Sequence, residues 1–523
     1  MALVVAAALA GAIAAALAVR ATRQAEPRLR REIEVWLSER LNSDVQLAAF
    51  DVKLYPVLRV EGRDLVLRIK GRPDLPPFIS IQRISGSGGV TTLRRKRLNE
   101  VRLEGVTIVV PPGRSKDLEP LRGAGKSTTA PRDPGTPPGP ATPEAPLIID
   151  RLVTDSVRLT VLPRDPGRDP QEWDIRGLEM EPFSLDAPTP FSANVDTPLP
   201  GERAQVSGTA GPWPQGDFDQ LPIIGNYTFL GDVASVPGLY GSLDASGTIL
   251  GTLERLATTG VVSSPAFGLR TKGAGRLPLS AIYEAVLDGT NGDLFLTKVT
   301  TALGSSAFQT AGRVTRVKGV RGRHVAITVK TADRANIADV LKLLVDGGRP
   351  PLTGQLALDG TLDLPPGPED VLDRLTIEAS YQLNRVRFAD AEVQAKVDEL
   401  SRRGQGKPTE ATIAQVASTM RGRARLRGPR LTLSSVVFEA PGVVIDAAGY
   451  YALTSTELQF RGVAKLEATL SRTQTGARRW LLRPLDPFLK KQGAGTRVVV
   501  DVRGTKEHPV VDFDVGASLR GRQ

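Results

Sequence analysis

This chain contains no cysteine, two histidines and few aromatic residues, which make up 5% of its 523 residues. The absence of cysteine excludes disulfides, thiolate chemistry and cysteine-based zinc sites. It does not fix the compartment, because exported proteins can also lack disulfides. His324 and His508 lie far apart in the sequence, without other ligand residues at metal-binding spacing, so we expect no metal and no cofactor. No nucleophile–base pair and no carboxylate pair at a predicted strand end is found, so we expect no enzymatic activity.

What the chain does contain is glycine, proline and scattered positive charge. Its 52 glycines and 40 prolines exceed the usual share and favour many short strands and turns over helices. The net charge is 68 − 57 = +11. The basic residues are mostly scattered singly among acids, whereas nucleic-acid-binding proteins concentrate them on one element beside aromatic residues. We therefore expect no nucleic-acid partner; diffuse positive charge suits anionic lipid headgroups.

The most regular pattern is the alternation of apolar and polar residues between residues 423 and 515. Leu458 and Phe460 flank Gln459, and Val511 and Phe513 flank Asp512. A period of two is typical of strands with one buried and one solvated face. Tight turns are predicted at Gly428-Pro429, at Pro441-Gly442 and at Thr454-Ser455-Thr456. This spacing predicts an antiparallel meander with one apolar face.

The first nineteen residues, MALVVAAALAGAIAAALAV, are uncharged and long enough as a helix to cross a membrane. One interpretation is a signal-anchor helix. The other is a cleaved signal peptide with an A-x-A site at Ala16-Leu17-Ala18. The arginines from Arg20 to Arg31 all follow the apolar run, and by the positive-inside rule this opposes export of the C-terminal side. The topology therefore stays open at the level of the sequence.

An amphipathic helix is predicted over 27–41, with Pro27 in its first turn and Asn42 after its end. Its apolar face is formed by Leu29, Ile33, Trp36, Leu37 and Leu41. We expect this face to cover one end of a sheet, and the alternative is that it lies on lipid.

Residues 111–146 contain ten prolines and five glycines without hydrophobic periodicity, which indicates a disordered linker. We expect 113–145 to be removable without loss of folding. The GAGKST stretch at 123–128 imitates a phosphate-binding loop, but position 120 is proline where the motif needs glycine, so nucleotide binding is rejected.

Short strands are predicted on both sides of this linker, first over 45–50, 57–61, 65–70, 78–84 and 101–110. After the linker, residues 149–163 echo residues 99–111, which indicates a degenerate repeat. A hairpin is predicted over 281–299 around Asn291-Gly292. Two helices are predicted over 334–346 and 391–403, each ended by a glycine, and we expect both to lie across an open edge or mouth of the sheet.

Several segments resemble the AsmA family. At the N-terminal end these are LNSDVQLAAFDVKLYPVLRVEGRDLVL (41–67), PPFISIQRI (76–84) and TTLRRKRLNEVRLEGVTIVV (91–110). Later segments include ADRANIADVLKLL (332–344), PPLTGQLAL (350–358) and WLLRPLDPFLKKQGAGTRVVVDVRGTKEHPVVDFDV (480–515). The resemblance covers about 27–110 and 147–515, and the alanine-rich N-terminus departs from it.

The resemblance implies a mainly β fold: an elongated, curved antiparallel sheet forming a taco-like groove, with an N-terminal membrane helix and a few short amphipathic helices. About 25 strands at ~4.8 Å spacing would give a sheet roughly 120 Å long. The expected organisation is a signal-anchor (1–19), an amphipathic helix (20–42), an N-terminal AsmA-like domain (43–110), the linker (111–146), a continuation of the groove (147–280), an AsmA-like C-terminal region (281–515) and a tail (516–523).

The family's function implies a single-pass protein of the bacterial inner membrane whose bulk lies in the periplasm. It would bind or conduct phospholipid and support outer-membrane lipid homeostasis and envelope biogenesis. Its expected contacts are phospholipid acyl chains, the inner membrane and a partner protein in either the outer or the inner membrane. An acyl chain would cover an apolar face that two short helices cannot cover alone. The candidate groove residues are Leu431, Leu433, Leu458, Phe460, Leu466, Leu470, Val511 and Phe513. The alternative is a scaffold for outer-membrane assembly with a dry core.

Overall fold

The computed structural model describes residues 31, 34, 35, 38, 43–53, 58–71, 75–88, 97–111, 148–163, 165, 167–184, 186–197, 202–212, 220–233, 236–269, 275–332, 335–344, 350–407, 418–468, 497–506 and 508–514. The predicted signal-anchor, the linker beyond Pro111 and the tail at 516–523 lie outside these residues. Of the predicted amphipathic helix, the structure describes only Arg31, Glu34, Val35 and Ser38, all in helical conformation.

The chain forms one mainly antiparallel sheet of 25 strands. The strands are β1 (Ser43–Lys53), β2 (Leu58–Ile69), β3 (Ile79–Gly88), β4 (Arg97–Val110), β5 (Ile148–Val161), β6 (Gln171–Met180), β7 (Phe183–Ser184), β8 (Thr189–Asp196), β9 (Arg203–Ala210), β10 (Pro222–Asp232), β11 (Leu239–Tyr240), β12 (Ser242–Thr252), β13 (Arg255–Leu269), β14 (Leu277–Asp288), β15 (Asp293–Leu303), β16 (Ser306–Arg316), β17 (Arg323–Thr331), β18 (Leu352–Leu364), β19 (Thr376–Phe388), β20 (Thr419–Arg427), β21 (Arg430–Ala440), β22 (Val443–Ala452), β23 (Glu457–Leu466), β24 (Arg497–Thr505) and β25 (Pro509–Asp514). The prediction of a mainly β chain with one long curved antiparallel sheet is confirmed.

Neighbours in the sheet follow the order of the chain, with β7 and β11 as short side pairings on β5 and β13. The predicted hairpin at Asn291-Gly292 is the β14–β15 connection, and the predicted C-terminal meander is β20–β25. The two strands predicted at 57–61 and 65–70 are instead one strand, β2, which continues through Gly62 and Asp64. Asp64 adopts a positive φ of 51°, so a local irregularity, and not a turn, accounts for the break in the apolar pattern.

One pair of strands is parallel. β4 and β5 pair in the same direction, with Leu98 opposite Ile149 and Ile108 opposite Leu159. These strands carry the two echoing sequence segments, so the repeat places its copies side by side.

The parallel pair corrects our expectation about the linker. The connection must return along a strand of 14 residues, which spans about 45 Å at roughly 3.3 Å per residue. Deleting 113–145 would leave only a few residues to cover that distance, so the parallel pairing argues against the prediction that the whole segment is dispensable.

The largest buried core in the described chain is formed by the first eight strands. It includes Leu67, Ile79, Leu103, Ile149 and Met180, each at most 2% exposed. In β4 the residues Leu98, Val101, Leu103, Val106 and Ile108 are all buried in this core. The spacing is two within 101–103 and 106–108 but three between 103 and 106, where Gly105 with a φ of 64° interrupts the regular alternation. Smaller apolar clusters continue along the same face in the C-terminal half.

Three helices have bounds within the described chain: α1 (Ile337–Leu344), α2 (Val371–Arg374) and α3 (Ala391–Gly404). The first and third were predicted, and α1 lies within its predicted range. Asp390 caps α3, because its carboxylate accepts hydrogen bonds from the backbone N–H groups of Glu392 and Val393 at 2.9 Å each. The α1 helix packs between β13 and β18, and α3 packs on β19 and β22.

Candidate functional site

One face of the sheet carries uncharged residues in register across many strands, and we call it the apolar face. Directly opposed residues on neighbouring strands point to the same side. From β9 to β25 one such row runs Val206, Tyr227, Gly247, Gly260, Tyr283, Val299, Thr310, Val329, Gly360, Ala379, Ala424, Leu433, Gly449, Phe460, Val502 and Val511. The row contains no charge and no exposed residue, so this side of the sheet forms a continuous apolar surface.

A cavity of about 690 Å³ lies against this face between β4 and β17. Its lining is almost entirely apolar and includes Ile108, Val157, Trp173, Phe191, Val206, Tyr227, Ile249, Val262, Tyr283, Leu296 and Val314. Protein interiors are close-packed, so a space of this size is unusual in a hydrophobic core that has no ligand to fill it. It falls within the range of roughly 300–1,000 Å³ that is common for small-molecule sites. Ordered water needs two to four polar partners, so this lining suits an apolar occupant.

A pair of tyrosines spans the cavity wall. Tyr227 and Tyr283 lie on β10 and β14, separated in the row by Gly247 and Gly260. The two rings extend over the glycines, and their hydroxyl groups hydrogen-bond to each other. A Cβ at Gly260 would lie 2.7 Å from the Tyr227 Oη and 2.8 Å from the Tyr283 Oη, so only glycine leaves room for the rings here. Burial raises the pKa of Tyr227, which keeps the phenol neutral.

The sheet coils until distant parts of it touch at one end of the cavity. The loop before β6 reaches the turns of β14–β15 and β16–β17. Trp173 donates from its Nε1 to the Gly289 carbonyl at 2.9 Å, and the Gly319 N–H donates to the Asp169 Oδ2 at 2.7 Å. Arg168 forms an ion pair with the buried Asp293 at 2.6 Å. These contacts join residues more than a hundred positions apart and hold this end of the coil together.

Two charged residues occur in the described cavity lining, Asp196 and Arg323. Asp196 is paired with Arg203 at 2.9 Å and with Arg176 at 3.6 Å. Arg323, the first residue of β17, donates a hydrogen bond to the Gly292 carbonyl. Burial lowers the pKa of Arg323, repulsion from Arg316 lowers it further, and Asp293 partly opposes both effects. A guanidinium nevertheless stays charged at neutral pH, so Arg323 places a cation at the edge of an apolar cavity.

The predicted groove residues lie on the same apolar face, beyond the cavity. Leu433, Phe460 and Val511 belong to the long row, while Leu431 and Leu458 both oppose Tyr451 in the adjacent row. Leu466 is 3% exposed and packs in a cluster with Leu400 of α3. Gln459 is exposed on the other face. Leu470 lies outside the described residues, and for Phe513 the structure describes the backbone in β25 but not the side chain. Whether any of these residues contacts lipid stays a prediction.

Helices cover part of the apolar face in this C-terminal half. Leu344 of α1 packs against the cluster around Leu375 and Leu426. Lys396 of α3 donates from its Nζ to the Val511 carbonyl at 2.9 Å, so α3 reaches from β19 to the edge strand β25. The cavity described above lies between β4 and β17, whereas the predicted groove residues lie where helices partly cover the face.

The sequence reasoning did not single out Tyr227, Tyr283 or Arg323. The two tyrosines could have been found from the alternation in IIGNYTFLG (223–231) and AIYEAVLDG (281–289), which puts each on the apolar side of its strand. Arg323 carries no such signal, because it follows the basic turn VKGVRG (317–322) and resembles a solvated charge.

Comparison with protein-family models, curated proteins and solved structures found no match to this chain. Within the part of the chain that the structure describes, no helix has the length and apolar character needed to span a membrane. The same described residues contain no group of three or more potential metal ligands.

Proposed function

We propose that the chain binds the acyl part of a phospholipid against its apolar face and conducts it along a taco-like groove. The observation that carries this proposal is the apolar cavity of about 690 Å³, continuous with a charge-free row of residues that extends to β25. Burying hydrocarbon contributes about 0.8 kcal/mol per methylene, so a chain of eight buried methylenes gains roughly 6 kcal/mol before ordering costs.

The cellular setting is part of the proposal and rests on the AsmA resemblance. We infer a single-pass inner-membrane protein with its bulk in the periplasm, which supports outer-membrane lipid homeostasis. The proposed contacts are phospholipid acyl chains, the inner membrane and a partner protein in the outer or inner membrane. We propose no catalytic role. The competing function is a scaffold for outer-membrane assembly whose sheet carries no lipid.

Neighbouring valines on β13 provide a matched test. Val262 lines the cavity, whereas Val261 is 49% exposed on the opposite face. The full chain is purified, and bound lipid is quantified by solvent extraction and native mass spectrometry. We expect wild type and Val261→Asp to retain phospholipid and Val262→Asp to lose most of it, because an unpaired carboxylate in an apolar cavity is costly and draws in water.

Circular dichroism of each variant shows whether the sheet persists. Wild-type protein that carries no lipid would contradict lipid binding and favour the scaffold. Equal lipid content in both folded variants would contradict the cavity as the binding site.

A further inference from the structure

We propose that Arg323, supported by Arg316, forms a headgroup site for an amphiphile with an anionic oxyacid head whose chain lies in the cavity. This inference rests on the proposed lipid-binding function and adds to it the position and the charge of the head. The shared chemistry is an oxyanion, which a phospholipid phosphate or a fatty-acid carboxylate would supply.

The first support is the distribution of charges around the cavity end. Arg168 is paired with Asp293, and Asp169 accepts from the Gly319 N–H. Arg316 lies opposite Arg323 in the β16–β17 pair. Its side chain donates to two neutral acceptors, the Pro170 carbonyl at 3.3 Å and the Gln171 Oε1 at 3.5 Å, while its backbone N–H donates to the Asp293 Oδ1 at 3.2 Å. Among the described residues, neither the Arg316 nor the Arg323 guanidinium has a carboxylate within ion-pair distance, and the nearby Asp293 is itself paired with Arg168. These two guanidinium groups therefore have no salt-bridge partner in the described part of the chain.

The second support is the position of Arg323 relative to the apolar lining. Its guanidinium is half-buried beside apolar residues such as Val314 and Leu294, and within the described part of the chain its hydrogen-bond partner is the Gly292 carbonyl. A partly buried cation is costly unless an anion pairs with it. The planar guanidinium has five N–H donors and matches phosphate and carboxylate oxygens in a bidentate manner, so one carbonyl leaves most of its donors free. An amphiphile would satisfy these donors with its head and the apolar lining with its chain.

Other charged groups near the cavity do not offer the same chemistry. Asp196 is repulsive to an anion and is already paired with two arginines. Because Arg323 attracts an anion and Asp196 repels one, the ligand is oriented with its head toward β17 and its chain toward the tyrosine pair.

The test uses lipids with identical fluorescent acyl chains and different heads: phosphatidylglycerol, a fatty acid and the uncharged diacylglycerol. Each is titrated against the full chain as wild type, Arg323→Met and Arg316→Met. The control is Arg313→Met, because Arg313 is exposed and opposes the exposed Phe295 on the other face of the sheet. Methionine keeps much of the side-chain volume and removes the charge.

We expect Arg323→Met to weaken binding of the anionic lipids by about tenfold or more, the usual loss for a charge-assisted hydrogen bond, and to leave diacylglycerol binding unchanged. Arg316→Met should show a smaller loss of the same kind, and Arg313→Met none. The relative losses for phosphatidylglycerol and the fatty acid distinguish phosphate from carboxylate as the preferred head.

Two results would overturn the headgroup site while leaving lipid binding intact: no change in Arg323→Met, or an equal loss for charged and uncharged lipids, which indicates a packing role. If wild type binds none of the three lipids, both the headgroup site and the proposed function fail.

Discussion

At the scale of single residues, the curvature of the sheet depends on small side chains in the long apolar row. A Cβ at Gly260 would lie 2.6 Å from the Ser246 carbonyl oxygen, and one at Gly247 would collide with the Thr259 carbonyl. Glycine inside a strand usually weakens it but permits such close backbone approach. The glycines therefore let the strands coil tightly and leave space for the tyrosine rings above them.

A third tyrosine on the apolar face, Tyr381, gives a stability prediction. Its hydroxyl is buried and has no hydrogen-bond partner among the described residues, and burial raises its pKa from 10.0 to about 12. A buried, unsatisfied hydroxyl costs roughly 1–3 kcal/mol, so Tyr381→Phe should raise the free energy of unfolding at pH 7 by about 1 kcal/mol. Urea denaturation followed by circular dichroism measures this change.

The same residue predicts an alkaline dependence. Between pH 10 and 12 the unfolded chain releases the Tyr381 proton while the folded chain retains it, so the unfolded state binds fewer protons and stability falls as pH rises. Wild type should lose up to about 2–3 kcal/mol more than Tyr381→Phe across this range. Equal slopes for the two proteins would show that the hydroxyl reaches solvent or a partner.

At the scale of elements, alternation and turn residues predicted much of what the structure contains. The C-terminal meander, the Asn291-Gly292 hairpin and the helix starting at Ala391 are all present. Local signals succeed here because adjacent strands are joined by short turns. Local sequence patterns did not predict the parallel β4–β5 pair, because that pairing depends on a long connection whose composition indicates no secondary structure. They also divided β2 into two strands, because Asp64 interrupts the apolar pattern without ending the strand.

The cavity was less predictable than the strands. Periodicity identifies which side chains share a face, but not where that face is covered. Phe460 and Tyr227 belong to the same row, yet α3 reaches the edge strand β25 near Phe460, while a partly open cavity lies beside Tyr227. The difference comes from contacts between residues far apart in sequence, such as Trp173 with Gly289, which a period-two pattern does not encode.

The parallel pair makes a prediction about the connection at 111–147. A chain returning about 45 Å needs roughly 14 extended residues. We expect a version shortened to about twenty residues to melt at the wild-type temperature, because loop-closure entropy changes slowly with length. The deletion of 113–145 should separate β5 from β4 and expose the N-terminal core.

Thermal melting and limited proteolysis of the two deletions measure these outcomes. A wild-type melting temperature in the 113–145 deletion would show that β4 and β5 do not pair in parallel, because the remaining residues cannot span the strand.

At the scale of the whole molecule, the question is whether the apolar row acts as one path. The cavity and the predicted groove residues share an uninterrupted face, which favours continuous conduction along the sheet. The α1 and α3 helices partly cover the C-terminal half, which favours storage of lipid in the cavity alone. In-cell photo-crosslinking distinguishes conduction along the whole face from storage in the cavity, because a photo-activated side chain forms covalent bonds only with molecules in contact with it.

A photo-reactive residue is placed in turn at Tyr227 in the cavity, at Phe460 in the C-terminal half, and at Gln459, which is exposed on the opposite face. If lipid moves along the full face, adducts should form at positions 227 and 460 but not at 459. The variant Phe460→Asp should then impair the envelope barrier, while Gln459→Asp should not, since only the former puts an unpaired carboxylate in the path. Adducts at 227 alone, with Phe460→Asp still functional, would restrict lipid to the cavity. Adducts at 459 but not at 460 would reverse the assignment of faces, and adducts at none of the three positions would favour the dry scaffold.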